Sequence, residues 1–444
     1  SMSLTIEGVL ALAPDDASAK AARGLASAAQ WPLLGANDAA AWGECKGSGA
    51  KPYQTQVDLS GPAFRCTCPS RKFPCKHGLA LLMMRAQSVN LFAAKEAPAW
   101  VSEWLASRSE KAQKKEERQL EKAAAPADPQ AAAKREAQRW QRIEGAAQEL
   151  QRWLADQIAR GLGSLSAEVL QGWQTMAARM VDAQAPGLGW RVREAANGIN
   201  QGADWPERTL HALGLLQLAC EALQRRSALS PALQADLRSV VGWPHDKAEV
   251  LADGERVADR WTVLGSVTEE RDDKLSERRV WLHGERSGRR AWLLDHAFGG
   301  RGFELSWLTG SSVEATLAFF PGASALRALA AEAGGAAGPA IWPSAPLSDE
   351  WQRIAQRVAL CPWVGWHPLV VADALPLRAG EQMLLIADGR ALPLRLGDAD
   401  SWKLLACSGG RPLQLAGEWD GHALQPLTAW RTDAVAPIWQ RSAQ

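Results

Sequence analysis

Four residues constrain this chain more than any others: Cys66 and Cys68, one residue apart, then after six residues Cys75 and His77, again one residue apart. They lie in the run Phe64-Arg65-Cys66-Thr67-Cys68-Pro69-Ser70-Arg71-Lys72-Phe73-Pro74-Cys75-Lys76-His77-Gly78-Leu79. On a strand, residues i and i+2 share a face, so Cys66 and Cys68 can present two thiolates to one ion. Pro69 to Pro74 supplies a turn, and Leu79 to Met84 reads as a helix with Cys75 and His77 at its first turn. Upstream, Tyr53, Thr55, Val57 and Leu59 alternate, which predicts a strand paired with the one holding Cys66. The expectation is a ββα unit closed by one structural zinc ion. Three thiolates and an imidazole fill a tetrahedral shell and leave no open position for a hydrolytic water. The competing readings are buried thiols beside a chance histidine, or a Cys-x-Cys redox pair.

The pattern Cys-x-Cys, spacer, Cys-x-His resembles the SWIM zinc finger, and all four ligand positions match. The neighbouring segment Trp42-Gly43-Glu44-Cys45-Lys46-Gly47-Ser48-Gly49, with Lys51-Pro52-Tyr53-Gln54, is similar to bacterial SWIM-containing proteins. That resemblance implies a module for binding proteins or DNA. It also implies a setting beside MoxR-type AAA+ ATPases and VWA-domain proteins, hence an adaptor for such a machine.

Around the motif, residues 46 to 86 carry Lys46, Lys51, Arg65, Arg71, Lys72, Lys76 and Arg85 against only Asp58. Arg65, Arg71, Lys72 and Lys76 could grip phosphates. They could equally offset the negative charge of a three-thiolate site. Both readings stand at this point. The whole chain has a formal net charge of +1, which argues against a general polyanion binder. Cys45 is a substitute ligand or, better, a packed hairpin cysteine, while Cys220, Cys361 and Cys407 read as core. An odd, scattered count of seven fits reduced thiols in a cytosol rather than a disulfide framework. Residues 4 to 13 are apolar but contain Glu7 and lack a basic leader, so they do not read as a secretory signal, and Ser1 before Met2 reads as an expression scar. No apolar run approaches the roughly 20 residues a membrane-spanning helix needs. A cytoplasmic protein without membrane contact is expected.

At 444 residues the chain should form several domains, an α+β multidomain arrangement. Residues 1–107 form a first region, helix-like at Asp16 to Leu25, with the finger at about 42–92. Residues 108–127 form a charged linker: Arg108 to Lys122 holds six basic and four acidic residues and runs into a hinge at Ala123 to Pro129. Residues 128–254 form an all-helical domain. Asp128-Pro129 signals a helix start, and Trp140, Ile143, Ala147, Leu150, Leu154 and Ile158 recur at helical spacing. Further starts fall at Ser166, Asp204 and Ser230. Leu210, Leu213, Leu216, Leu218 and Leu223 supply burial or a partner-facing surface. Residues 255–444 are β-rich with two helices, at Ser324 to Glu332 and Ser348 to Val358, and divide into two subdomains near Ser344 to Asp349. Strands are expected at Arg279 to Leu282 and Arg290 to Leu294, and Asp388-Gly389 should close a hairpin between Met383–Ala387 and Arg390–Leu394.

The chain has 22 Trp, against one Tyr and seven Phe. Trp363 and Trp366 invite an aromatic platform, although core packing is the default for most large aromatics. Gly43 to Lys51 lacks the Gly-Lys-Ser/Thr ending of a phosphate loop. No catalytic constellation stands out among the seven histidines, so no enzyme is expected. The leading function is a zinc-binding interaction scaffold, and the alternative is a nucleic-acid binder working through the basic finger.

Overall fold

The computed structural model describes residues 4–124, 128–271, 275–298 and 307–442. The chain is α+β and multidomain: an N-terminal sheet carrying the finger, a helical middle and a β-rich C-terminal region. Among the described residues no helix is long and apolar enough to cross a membrane.

The first lobe opens with helices α1 (Ile6–Leu10) and α2 (Asp16–Leu25). The antiparallel sheet β1 (Leu33–Ala36), β2 (Ala40–Cys45), β3 (Tyr53–Asp58) and β4 (Ala63–Cys66) follows, then α3 (Lys76–Gln87). The expected ββα unit is therefore the edge of a larger four-stranded lobe. Leu79 to Met84 of α3 are all buried, because α1 and α2 cover the side of the helix that the sheet leaves open. A helix apolar all round must be enclosed in this way.

Helix α4 (Ala99–Ala124) takes in most of the charged tract without a break at residue 108. Its first turns bury Val101 against Ala40 and Trp42 of the sheet. Residues 125–127 of the expected hinge lie outside the described residues.

The helical region comprises α5 (Pro129–Arg160), α6 (Ala167–Asp182), α7 (Pro186–Asn197), α8 (Trp205–Gln224), α9 (Pro231–Val240) and α10 (Lys247–Asp253). Asp128 caps α5 by accepting from the Gln130 and Ala131 amides, Ser166 caps α6 and Ser230 caps α9. Asp204 precedes α8 but makes no side-chain cap bond. The bundle core holds Trp140, Ile143, Ala147, Leu150, Leu154, Leu213, Leu216 and Leu223. Ile158 does not join it and is 48% exposed, whereas the adjacent Gln157 is buried and accepts from the Trp173 indole at 3.0 Å. Leu210 and Leu218 also face outward, at 54% and 47% exposed.

The C-terminal region is built on two antiparallel sheets. The five-stranded sheet contains β5 (Arg256–Arg271), β6 (Leu275–Gly284), β7 (Arg290–Phe298), β8 (Ser311–Phe319) and β9 (Ala328–Pro339). Helix α11 (Leu347–Leu360) leads to the six-stranded sheet, made of β10 (His367–Ala379), β11 (Gln382–Ala387), β12 (Arg390–Pro393), β13 (Leu413–Trp419), β14 (Leu424–Trp430) and β15 (Trp439–Gln440), with α12 (Asp398–Ser408) inserted after β12. The hairpin at Asp388-Gly389 forms with φ of 51° and 70°, as a primed turn requires.

The helix expected at Ser324 to Glu332 is absent. Ala328 to Pro339 is strand β9, paired with β8, and sheet pairing outweighs the helix propensity of Ala-Leu-Arg-Ala-Leu-Ala-Ala. The second helix of the region is α12. The two sheets share a core of Leu264, Trp281, Val370, Ala416, Leu427 and Trp430. Gly265 permits this approach, because a Cβ there would lie 2.6 Å from Leu427.

Candidate metal centre

The local fold gathers the four sequence-selected ligands. Strand β4 ends at Cys66, directly opposite Thr55 of β3, and the Thr67 amide donates to the Gln54 carbonyl at 3.0 Å to extend the ladder by one residue. Cys68 therefore sits just past the strand rather than on it. Cys75 is the N-cap of α3 and accepts from the Gly78 amide at 3.4 Å. His77 follows in the first turn, 4% exposed, with its Nδ1 4.0 Å from the Cys75 sulfur. One ligand atom from each of Cys66, Cys68, Cys75 and His77 lies within 4.8 Å of all the others.

Aromatic contacts fix the cluster. Tyr53 lies against the His77 ring at 5.1 Å, and Phe64 meets Phe73 edge-on at 6.3 Å. Gly78 is required beneath it, since a Cβ there would come within 2.8 Å of the Phe64 ring. Thr55 reaches the Cys66 sulfur through Oγ1 at 3.1 Å. The alternation of β3 places Tyr53 and Thr55 on the finger side, but only the structure shows that they hold the ligands. Such outer contacts orient metal ligands and tune them.

The electrostatics suit a cation. Hydrogen bonds from Cys75 and His77, with help from Thr55, hold the Cys66 thiol down to about 4. Cys75 is pushed upward, chiefly by that same thiolate and by burial, and Cys68 is raised by burial. One negative charge thus forms readily, and its neighbours keep protons aimed at it. A divalent ion would displace those protons, while the N-terminal end of α3, which favours negative charge, stabilises the Cys75 thiolate that would face it. The donor set of three sulfurs and one imidazole fits a single tetrahedral zinc ion. Cys45 lies outside the group: it is fully buried, and burial pushes its thiol up to about 11.

The basic residues around the cluster divide. Lys72 pairs with Asp15 at 2.6 Å, which holds that carboxyl down to about 2. Arg65, Arg71 and Lys76 are exposed. Trp363 forms no platform: it is buried in the helical bundle and donates through Nε1 to the Leu215 carbonyl at 2.9 Å. Trp366 is half-buried, with the Arg279 guanidinium 4.8 Å from its ring.

Comparison with protein families agrees with this geometry. Residues 53–86 match the SWIM zinc finger, and residues 138–241 match the SWIM-associated four-helix bundle domain. The chain thus carries a SWIM zinc finger domain followed by a SWIM-associated helical bundle. No curated protein and no solved structure matches the chain.

Proposed function

We propose that the chain is a zinc-dependent protein-interaction scaffold and not a catalyst. The observation that carries this reading is the closed cluster of Cys66, Cys68, Cys75 and His77 at the start of α3. Four protein donors leave an ion no position for substrate, so zinc there would hold β3, β4 and α3 in register rather than activate water. The finger then presents a rigid surface, and the bundle and double sheet offer others. The resemblance to bacterial SWIM-containing proteins points to a MoxR-type AAA+ ATPase or a VWA-domain protein as the partner.

Nucleic acid is the second reading, favoured by the exposed Arg65, Arg71 and Lys76. It is weakened by the tie between Lys72 and Asp15 and by a net charge of only +1, which adds no wider attractive field.

The purified chain, mixed with a MoxR-type AAA+ ATPase and a VWA-domain protein, separates the two. Co-elution that is lost when Cys68→Ala removes the zinc supports the scaffold. Sub-micromolar binding to DNA or RNA that survives physiological salt, together with no co-elution, would replace the scaffold with the nucleic-acid reading.

A further inference from the structure

We infer that a pocket on the helical bundle, remote from the finger, is a docking site for an acidic peptide segment. The pocket is a cavity of about 430 Å³ on the exposed side of α5, lined by Arg135, Glu136, Arg139, Arg142, Gln184 and Trp243. Two guanidinium groups share the indole of Trp243: Arg139 lies 4.3 Å from its ring and Arg238 lies 4.6 Å from it. Both use one nitrogen on a backbone carbonyl, Arg139 on Gln184 at 3.1 Å and Arg238 on Pro244 at 3.3 Å, while their Nε atoms are buried and bond to nothing.

Elsewhere on the same bundle, Arg179 pairs with Glu149 and Arg226 with Glu144. Among the described residues no carboxylate pairs with Arg135, Arg139, Arg142 or Arg238. Positive charge is therefore held together on an aromatic face without a counter-ion. Gln184, whose carbonyl anchors Arg139, is the left-handed residue that ends α6, with φ of 65° and the Ala185 amide closing back on the Met180 carbonyl at 2.9 Å.

A ligand carboxylate would supply the missing charge, and the planar guanidinium fork matches it with two parallel hydrogen bonds. Trp243 and the arginine stems offer an apolar wall for the neighbouring side chain. Peptide is favoured over polynucleotide because the arginines converge on one cavity instead of tracking a backbone. Glu136 in the wall would also oppose a continuous run of phosphates while accepting from peptide amides. This site goes beyond the scaffold reading and uses none of the finger residues, so either can fail without the other.

The test uses the intact zinc-loaded chain and a fluorescein-labelled peptide of alternating glutamate and phenylalanine, followed by anisotropy. Saturable binding is expected. Arg139→Gln should weaken it about tenfold, the scale of one lost charge-assisted pair. Arg142→Gln, whose side chain is exposed and cannot disturb the core, should weaken it severalfold. Lys20→Gln in the first lobe should leave it unchanged. Absence of saturable binding, wild-type affinity in both arginine variants, or a tighter complex with oligo(dT) that is lost in the same variants would overturn the proposal.

Discussion

The finger lobe and the double-sheet region both bury charge, and they neutralise it differently. In the double sheet, the buried Glu418, Asp259 and Glu350 find hydrogen-bond donors within the protein, although one Glu350 oxygen is left without one. Glu418 accepts from Arg279 at 2.6 Å, from the Trp281 indole at 2.7 Å and from Gln425 at 2.7 Å. Asp259 accepts from the Arg286 and Ser287 amides and the Ser287 hydroxyl. Glu350 takes Arg290 at 2.6 Å and the Val370 amide at 2.7 Å. The finger gathers three sulfurs and an imidazole, and Arg65, Arg71, Lys72 and Lys76 around them are exposed. A region of about 190 residues can supply internal counter-charges, whereas the Cys3His cluster of a short ββα edge fits an ion that would close its polar centre.

The largest expected effect lies in removing that ion. Chelation, or Cys68→Ala, should unfold β3, β4 and the start of α3 while residues 256–440 keep their hydrogen-exchange protection. Equal loss of protection in both regions would erase the distinction between them.

Next in size is the converse experiment. Arg279→Met strands Glu418, and breaking a buried pair from one side costs about 3–5 kcal/mol. Denaturant unfolding should show this loss with zinc content unchanged. A loss below about 1 kcal/mol would mean that the network does not join the two sheets in solution.

A smaller effect concerns pH. Burial and the adjacent arginines push His283 down to about 3 and His367 down to about 4. The unfolded chain therefore takes up these protons first. Stability of the double sheet should be full above about pH 6.5 and decline as pH falls toward 4. His367→Asn should flatten that decline, and an unchanged slope would show that the buried imidazole does not titrate on unfolding. The smallest effect is expected from Lys72→Ala. Its ion pair with Asp15 is well exposed on both sides, so the change should stay within a few tenths of a kcal/mol.

What was legible in the sequence was local. The Cys-x-Cys and Cys-x-His spacing marked the four residues that cluster, alternation marked β3, Asp128-Pro129 marked the start of α5, and Asp388-Gly389 marked a hairpin. Each depends on neighbours within a few residues. The misreadings depended on distant ones. Ser324 to Glu332 has helix-forming composition, and β8 decides its state. The core default holds for Trp363, but what receives it is distant, the Leu215 carbonyl of α8, 148 residues away in sequence. The pairing of Arg279 with Glu418 spans 139 residues and has no sequence signature. Helix α12 was missed although Gly397 before it and Gly409 after it, at φ 57°, frame it as punctuation would.

Elemental analysis of the purified chain tests the zinc centre most directly. The account predicts one zinc per chain, falling to near zero in Cys66→Ala, Cys68→Ala, Cys75→Ala and His77→Ala and unchanged in Cys45→Ala. Protein that folds without zinc, or that keeps its full zinc content in Cys68→Ala, would contradict it.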